Sequence, residues 1–340
     1  MAPSVDIGVF AHNEAAGIAA MVVELARQDI LLGGMDVRVV ILANGCTDDT
    51  PALARAACAA LGDRIEVLDL AEAGKSRTWN RFVHEISRPG ADVLVFCDAD
   101  IEMPHPDSLS RLVAGLLARP AVLAMGSRPV KDIVHRPDGL TPLDRMIAGA
   151  GGTLDDWKTA ICGQLYAMRA PAARALHLPV GLPVEDGFLR AMILTDALTA
   201  AEDLTRIDGD ERVFHLYASE RRLPALVRHQ TRIVIGSAIN AAVFAHLRAL
   251  PETLRRAELT AAAADEGWLA RVIRARLPGF PFGYVPPHFL TKRAANLLRQ
   301  PRELLRRGRF FVLLAGFGFD LIVYLNAQIR MARGTGAGHW

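Results

Sequence analysis

The chain has 340 residues, about two domains' worth, with 51% hydrophobic and 22% charged side chains, so it can bury a sizeable core and is not intrinsically disordered. A formal net charge of +2 gives no reason to expect a nucleic-acid partner. The four cysteines, at 46, 58, 97 and 162, form no C-x-x-C pair, which argues against a zinc ribbon, a thioredoxin-type site or a disulfide scaffold.

The opening MAPSVDIGVF lacks the basic region of a signal peptide, so a reducing, cytoplasmic setting is expected. Val5–Phe10 reads as a strand and Glu14–Gln28 as a helix with apolar positions three to four apart. A second strand over Val37–Leu42 precedes a helix over Asp49–Leu61, capped by Thr47. Ile65–Leu70 is a third strand, Lys75–Ile86 a helix, and Val93–Cys97 a fourth strand, wholly apolar and therefore central. This βαβα rhythm predicts an open, mostly parallel α/β sheet, whose ligands bind beyond the carboxyl ends of the strands. After Pro129 the pattern is irregular, and from Leu223 to Arg276 it reads as helical. An aromatic, Pro-rich segment over 277–289, a basic run Lys292–Arg309 and an apolar stretch Phe310–Ile329 follow.

Several familiar sites fail on spacing. Ala73-Gly74-Lys75-Ser76 lacks the glycine that a P-loop needs at position 69, which is Asp. FAHNEAAG, after the first strand, has no G-x-G-x-x-G, which argues against a Rossmann dinucleotide site. Asp98-Ala99-Asp100 is the stronger candidate, because two carboxylates one residue apart can hold a divalent cation that bridges nucleotide phosphates. Asp208-Gly209-Asp210 has the same spacing, and chance alone gives about as many such tripeptides as the chain contains. Context separates the two. The first ends the apolar strand Val93–Cys97, while the second lies in the charged run DLTRIDGDER and reads as a surface turn.

The set of segments VFAHNEAAGI, LANGCTDDT, AGKSRTWN, FCDAD, LPVEDGFLR and LPALVRHQTRIVIG, in that order over residues 5–236, resembles an inverting family 2 glycosyltransferase of the GT-A fold. The resemblance implies a donor that is a nucleotide-diphospho-sugar, with a UDP-sugar favoured, and Mn²⁺ or Mg²⁺ held by Asp100 with Asp98. It places Asn13, Glu14 and Asn44 near the base and ribose, and Lys75 near a phosphate or the ribose. Asn44 stands where Asp is common, which keeps a hydrogen bond to the base and loses a charge. Asp186 is expected to be the general base, with Glu185 beside it, and Gln164 to meet the sugar or acceptor along with Trp157. Arg169, in the same strand as Gln164, belongs to the acceptor side. Arg228 and Arg232 match the basic motif over the diphosphate. Processive members carry Gln-x-x-Arg-Trp there; here His229, Arg232 and Ile233 stand instead, which argues for one sugar per encounter.

The division expected is a GT-A catalytic domain over 1–232 and a helical, basic region over 233–340. Residues 1–232 carry a net −7 and residues 233–340 a net +9, so an acidic front faces a basic back. The stretch 310–329 is the length of a membrane span, but Asp320 near its middle and arginines on both sides suit a helix lying on anionic headgroups better. A buried or dimer-forming helix is the other option. Phe280, Phe282, Tyr284 and Phe289 either dip into lipid or pack on the core. A peripheral enzyme at the cytoplasmic membrane face, acting on a hydroxyl acceptor of lipid or lipid-linked type, is therefore expected. The competing functions are a sugar-phosphate nucleotidyltransferase, disfavoured by the missing Gly-rich loop after the first strand, and a non-catalytic nucleotide-sugar-binding module, disfavoured by the two acidic pairs.

Overall fold

The computed structural model describes residues 2–60, 65–141, 144–145, 157–276, 283–290 and 309–334. Four strands, β1 (Ser4–Ala11), β2 (Asp36–Asn44), β3 (Ile65–Leu70) and β4 (Val93–Asp98), pair in parallel, with β1 between β2 and β4. Their side chains alternate between two apolar layers. Val5, Ile7, Val9 and Ala11 of β1 and Val93, Val95 and Cys97 of β4 enter one, whereas Phe10, Leu94 and Phe96 enter the other. Continuous apolar runs follow from burial on both faces.

The remaining strands are β5 (Ile101–Glu102), β6 (Ala124–Lys131), β7 (Leu165–Arg169) and β8 (Ile207–Tyr217), and the eight described strands run β3-β2-β1-β4-β7-β6-β8-β5 across one sheet. β7 is antiparallel to both β4 and β6, while β6 and β8 are parallel with an irregularity between Gly126 and Arg128. The expected surface turn at Asp208-Gly209-Asp210 is therefore wrong: these residues lie in β8, where Gly209 pairs with Gly126. Their charges do not interrupt the strand, because Asp208 pairs with Arg119 and Asp210 with Arg212.

The described helices include α1 (Ile18–Ala26), α2 (Thr50–Ala60), α3 (Lys75–Arg81), α4 (Ser108–Leu117), α5 (Asp132–His135), α6 (Ala170–Arg174), α7 (Glu185–Leu194), α8 (Leu223–Arg248), α9 (Glu252–Ala264), α10 (Trp268–Arg276) and α11 (Arg309–Ala332). The expected Thr47 cap of α2 is replaced by Asp48, whose carboxylate accepts from the Thr50 backbone N–H (3.0 Å) and hydroxyl. α3 runs on into a π-helical turn over Phe82–Ile86, closed by Ser87 N–H donating to the Phe82 carbonyl. Residue 232, the expected domain division, lies inside α8, whose Val234, Ile235, Ile239 and Val243 are buried in the same core as β4 and β7.

The apolar stretch expected over 310–329 is within α11. Val323, Ala327 and Met331 are buried, and the helix packs on α8. The buried Gln328 accepts from the backbone N–H groups of Tyr284 and Val285 (3.0 and 3.2 Å) and donates to the Val285 carbonyl (3.0 Å). Tyr284 and Phe289 pack against the core, whereas Phe280, Phe282 and 291–308, with most of the basic run, lie outside the described residues. No helix among the described residues is long and apolar enough to cross a membrane.

Candidate active site

In strand order β3-β2-β1-β4 the chain steps outward from β1 through β2 to β3 and then crosses back to the other side of β1 for β4, so a crevice opens beyond the carboxyl ends of β1 and β4. The loops after β1 and β2 meet there. Asn13 adopts a left-handed φ of 57°, which Asn tolerates, and its side-chain oxygen accepts from Thr47 N–H (2.8 Å). His12 Nδ1–H donates to the Asn44 carbonyl (2.6 Å). Gly45 follows at φ 53°, with Ala73 N so close that a Cβ would lie 2.4 Å from it, so only glycine fits. Asn44 ends β2 at 4% exposure, and its side-chain oxygen is buried without a partner among the described residues. Glu14 lies nearby; loss of hydration and then the carboxylates of Asp100 and Asp48 raise its pKa.

The centre of the site is an ion cluster around Lys75, at the first position of α3. Its ammonium donates to Asp98 Oδ2 (2.7 Å) and to the Gly163 carbonyl (3.0 Å), and lies 3.2 Å from Glu185 Oε1. Burial opposes the charge on Lys75, but Asp98 and Glu185 together hold its pKa well above that of a free lysine. Asp98 moves the other way. Loss of hydration pushes its carboxyl up to about 7 against the pull of Lys75. Asp100, two residues on, is exposed at the rim.

β7 brings Gly163 and Gln164, the latter expected to meet the sugar or acceptor, to this point. Because it runs antiparallel to β4, its first residue Leu165 lies opposite Cys97, and Asp98 N–H donates to the Gln164 carbonyl (2.8 Å). A Cβ on Gly163 would lie 3.2 Å from both Asp186 Cβ and Glu185 Oε1, so the absence of a side chain lets α7 come in close. Asp186 Oδ1 accepts from Gly187 N–H (2.6 Å). Loss of hydration and then the Glu185 carboxylate raise the Asp186 pKa above the usual carboxylate range, while Lys75 and Arg232 pull it down. Beneath the cluster, Tyr166, Phe96 and Trp79 stack in a column with centroids 4.6 and 5.6 Å apart, and Trp79 Nε1–H donates to the Tyr166 hydroxyl (3.0 Å).

α8 backs the acidic pair. Gly236 packs directly on Val184, and Asn240 donates to the Val184 carbonyl (3.0 Å), fixing the residue before Glu185. Arg232, on the third turn of α8, is close enough to influence Asp186, whereas Arg228 is exposed. Two expected residues stand apart, as does Asp210, for which no role in the site is expected. Trp157 packs on Gly209 of β8. Arg169, at the far end of β7, donates to the carbonyls of Leu116, Arg119 and Val122. Asp210 is tied to Arg212.

The sequence did not point to Tyr166, Asn240 or a buried group on β6 and β8. There, His215 stands between Ser127 Oγ (3.0 Å from Nδ1) and Gln164 Oε1 (3.1 Å from Nε2). The available signal was a lone histidine in the apolar run VFHLY, hidden by the charged residues before it.

Residues 6–173 match the family model described as Glycosyl transferase family 2. Among solved structures, the chain is similar to mannosyltransferase PcManGT from Pyrobaculum calidifontis, in complex with GDP-Man and Mn²⁺, at a TM-score of 0.58 and 18% identity; the match covers 96% of this chain and 87% of that one. Glucosyl-3-phosphoglycerate synthase from Mycobacterium tuberculosis, in complex with Mg²⁺ and UDP, is more distant, at a TM-score of 0.46 and 21% identity over 71% of this chain and 77% of that one. No curated protein matches the chain.

Proposed function

Residues 6–173 make this chain a glycosyl transferase family 2 enzyme with a GT-A fold, and from that premise we propose that it moves one sugar, with inversion, from a nucleotide-diphospho-sugar to a hydroxyl acceptor. The observation that carries the reading is the Lys75 bridge, 2.7 Å to Asp98 and 3.2 Å to Glu185. It joins a carboxylate suited to the leaving-group side and an acidic pair suited to the acceptor side in one cluster.

The carboxylates of Asp98 and Asp100 are hard oxygen ligands of the kind Mn²⁺ and Mg²⁺ take. Among the described residues no three His, Cys, Asp or Glu side chains group to hold an ion, so the two would share it with the donor's diphosphate. Such an ion supplies positive charge to the departing diphosphate. Arg232 and Arg228 add cations from α8, and the unpartnered Asn44 side-chain oxygen suits an N–H of the nucleobase. Glu185 is occupied by Lys75, whereas Asp186 keeps an oxygen for a proton. The acceptor oxygen attacks the anomeric carbon as its proton passes to Asp186, and the bond from that carbon to the diphosphate oxygen breaks. With Ile233 in place of a Trp, transfer is of one sugar per encounter.

The donor is tested by thermal shift. Because the similar mannosyltransferase holds GDP-Man and Mn²⁺, the panel includes GDP- as well as UDP-sugars, each with and without Mn²⁺. One donor should raise the melting temperature only with Mn²⁺. The shift should vanish in Asp100→Ala and persist in Asp210→Ala; equal loss in both variants contradicts the metal assignment.

A further inference from the structure

Building on that transfer reading, we propose that His215 is a positioning residue that fixes which end of the Gln164 amide faces the transferring sugar. His215 is fully buried, and both ring nitrogens are engaged. An amide oxygen only accepts, so Nε2 carries the proton donated to Gln164 Oε1, and Nδ1 accepts from the Ser127 hydroxyl. Burial drives the imidazole pKa down to about 3, so the ring stays in this one neutral form. The Cys162 thiol, held protonated by a pKa that burial pushes up to about 12, is a second donor to the same oxygen at 3.6 Å. Ser127 stands where the pairing of β6 with β8 is irregular, between Gly126 and Arg128; such a bulge re-aims a side chain.

Two donors on Oε1 set the orientation of a planar group whose last torsion is otherwise loose and two-fold. The amide nitrogen, at the other end of that planar group, has no partner among the described residues. Its location gives it a use. The Gln164 carbonyl accepts from Asp98 N–H, and the neighbouring Gly163 touches Lys75, Glu185 and Asp186. A half-buried pair of N–H donors on the segment that carries these backbone contacts is chemistry that would recognise sugar oxygens. Without the imidazole, the amide can turn over and present its oxygen, exchanging two donors for an acceptor.

The test is a double-mutant cycle with a conservative rescue. His215→Leu keeps bulk and removes the donor; His215→Gln places an N–H near the Nε2 position. With the donor sugar that gives turnover, His215→Leu should lower kcat/KM by about tenfold to a hundredfold. Calorimetric affinity for the nucleoside diphosphate with Mn²⁺ should change less than about threefold, since the proposal gives the amide to the sugar and not to the nucleotide. His215→Gln should recover most of the loss, and His215→Leu should cost nothing further in a Gln164→Leu background. Ser127→Ala, which frees the ring but leaves its donor, guards against a misfolded His215→Leu and should lower kcat/KM with diphosphate affinity intact. Additive losses in the cycle, a parallel loss of diphosphate affinity, or a silent Ser127→Ala overturn the proposal while wild-type turnover keeps the transfer reading. A wild-type protein that transfers no sugar overturns both.

Discussion

A base must be ionised to take a proton, and Asp186 is held above the usual carboxylate range by lost hydration and by Glu185, with Arg232 pulling down. Turnover should therefore rise with pH along a limb displaced upward from that of an ordinary aspartate. Arg232→Gln removes a cation that favours the ionised form, so the limb should move to higher pH. Glu185→Gln removes an anion that disfavours it, so the limb should move to lower pH. Asp186→Asn should cut kcat by about 10²–10⁴ with donor affinity retained. A kcat–pH series on the four proteins checks these signs, and a limb that stays put in both neighbours contradicts the assignment. The residues that could be read from sequence share a property: Asn44, Asp98 and Asp100 directly follow or end apolar strands, so their place at the ligand edge follows from the strand alone. Asn13 was legible as a position, yet its side chain is spent on Thr47 N–H in knitting two loops. Lys75 was read as a phosphate or ribose contact, and its two carboxylate partners come from residues 23 and 110 positions away, beyond any local pattern.

Among the elements, α8 is the brace of the acidic pair. A Cβ at Gly236 would lie 2.3 Å from Val184 Cγ2, next to Glu185. Alanine in a helix interior gains about 1 kcal/mol over glycine, while overpacking of this kind costs ~1–3 kcal/mol. Gly236→Ala should thus lower both the melting temperature and kcat, whereas Gly34→Ala, with open space around it, should leave kcat unchanged. A Gly236→Ala enzyme of full activity would show that α8 does not set Asp186. The parallel strands were legible because burial on both faces writes them as unbroken apolar runs. β8 was not. Its Asp208, Asp210 and Arg212 mimic a surface turn, and only their ion pairs and the partner strand β6 make an extended segment of them. The antiparallel pairing of β7 with β4, which brings Gly163 and Gln164 to Asp98, joins segments some seventy residues apart and leaves no periodic trace.

At the scale of the whole molecule, the basic and apolar features gather in the carboxy-terminal third. α11 buries one face on α8 and exposes Phe317, Leu321, Ile322, Leu325 and Ile329 on another, and residues 233–340 carry a net +9. We propose that this face meets an anionic bilayer and that the acceptor is lipid or lipid-linked. Co-sedimentation with phosphatidylserine vesicles should then be strong at low salt, weaken as salt rises, and weaken further in Leu321→Glu/Ile322→Glu. Indifference to the vesicles at low salt would leave α11 as a helix of the core or of a dimer. The fold class was open to sequence reasoning because the ordered set of motifs spans residues 5–236, while the remaining third has no such pattern to read. The central claim, metal-dependent inverting transfer with Asp186 as base, is met most directly by product analysis. The protein is incubated with Mn²⁺, a panel of UDP- and GDP-sugars and a total lipid extract, and the products are resolved by NMR. The account predicts a nucleoside diphosphate and a glycoside of inverted anomeric configuration, both lost on omitting Mn²⁺ and both reduced by about 10²–10⁴ in Asp186→Asn. Release of pyrophosphate, a retained configuration, or undiminished turnover by Asp186→Asn would contradict it.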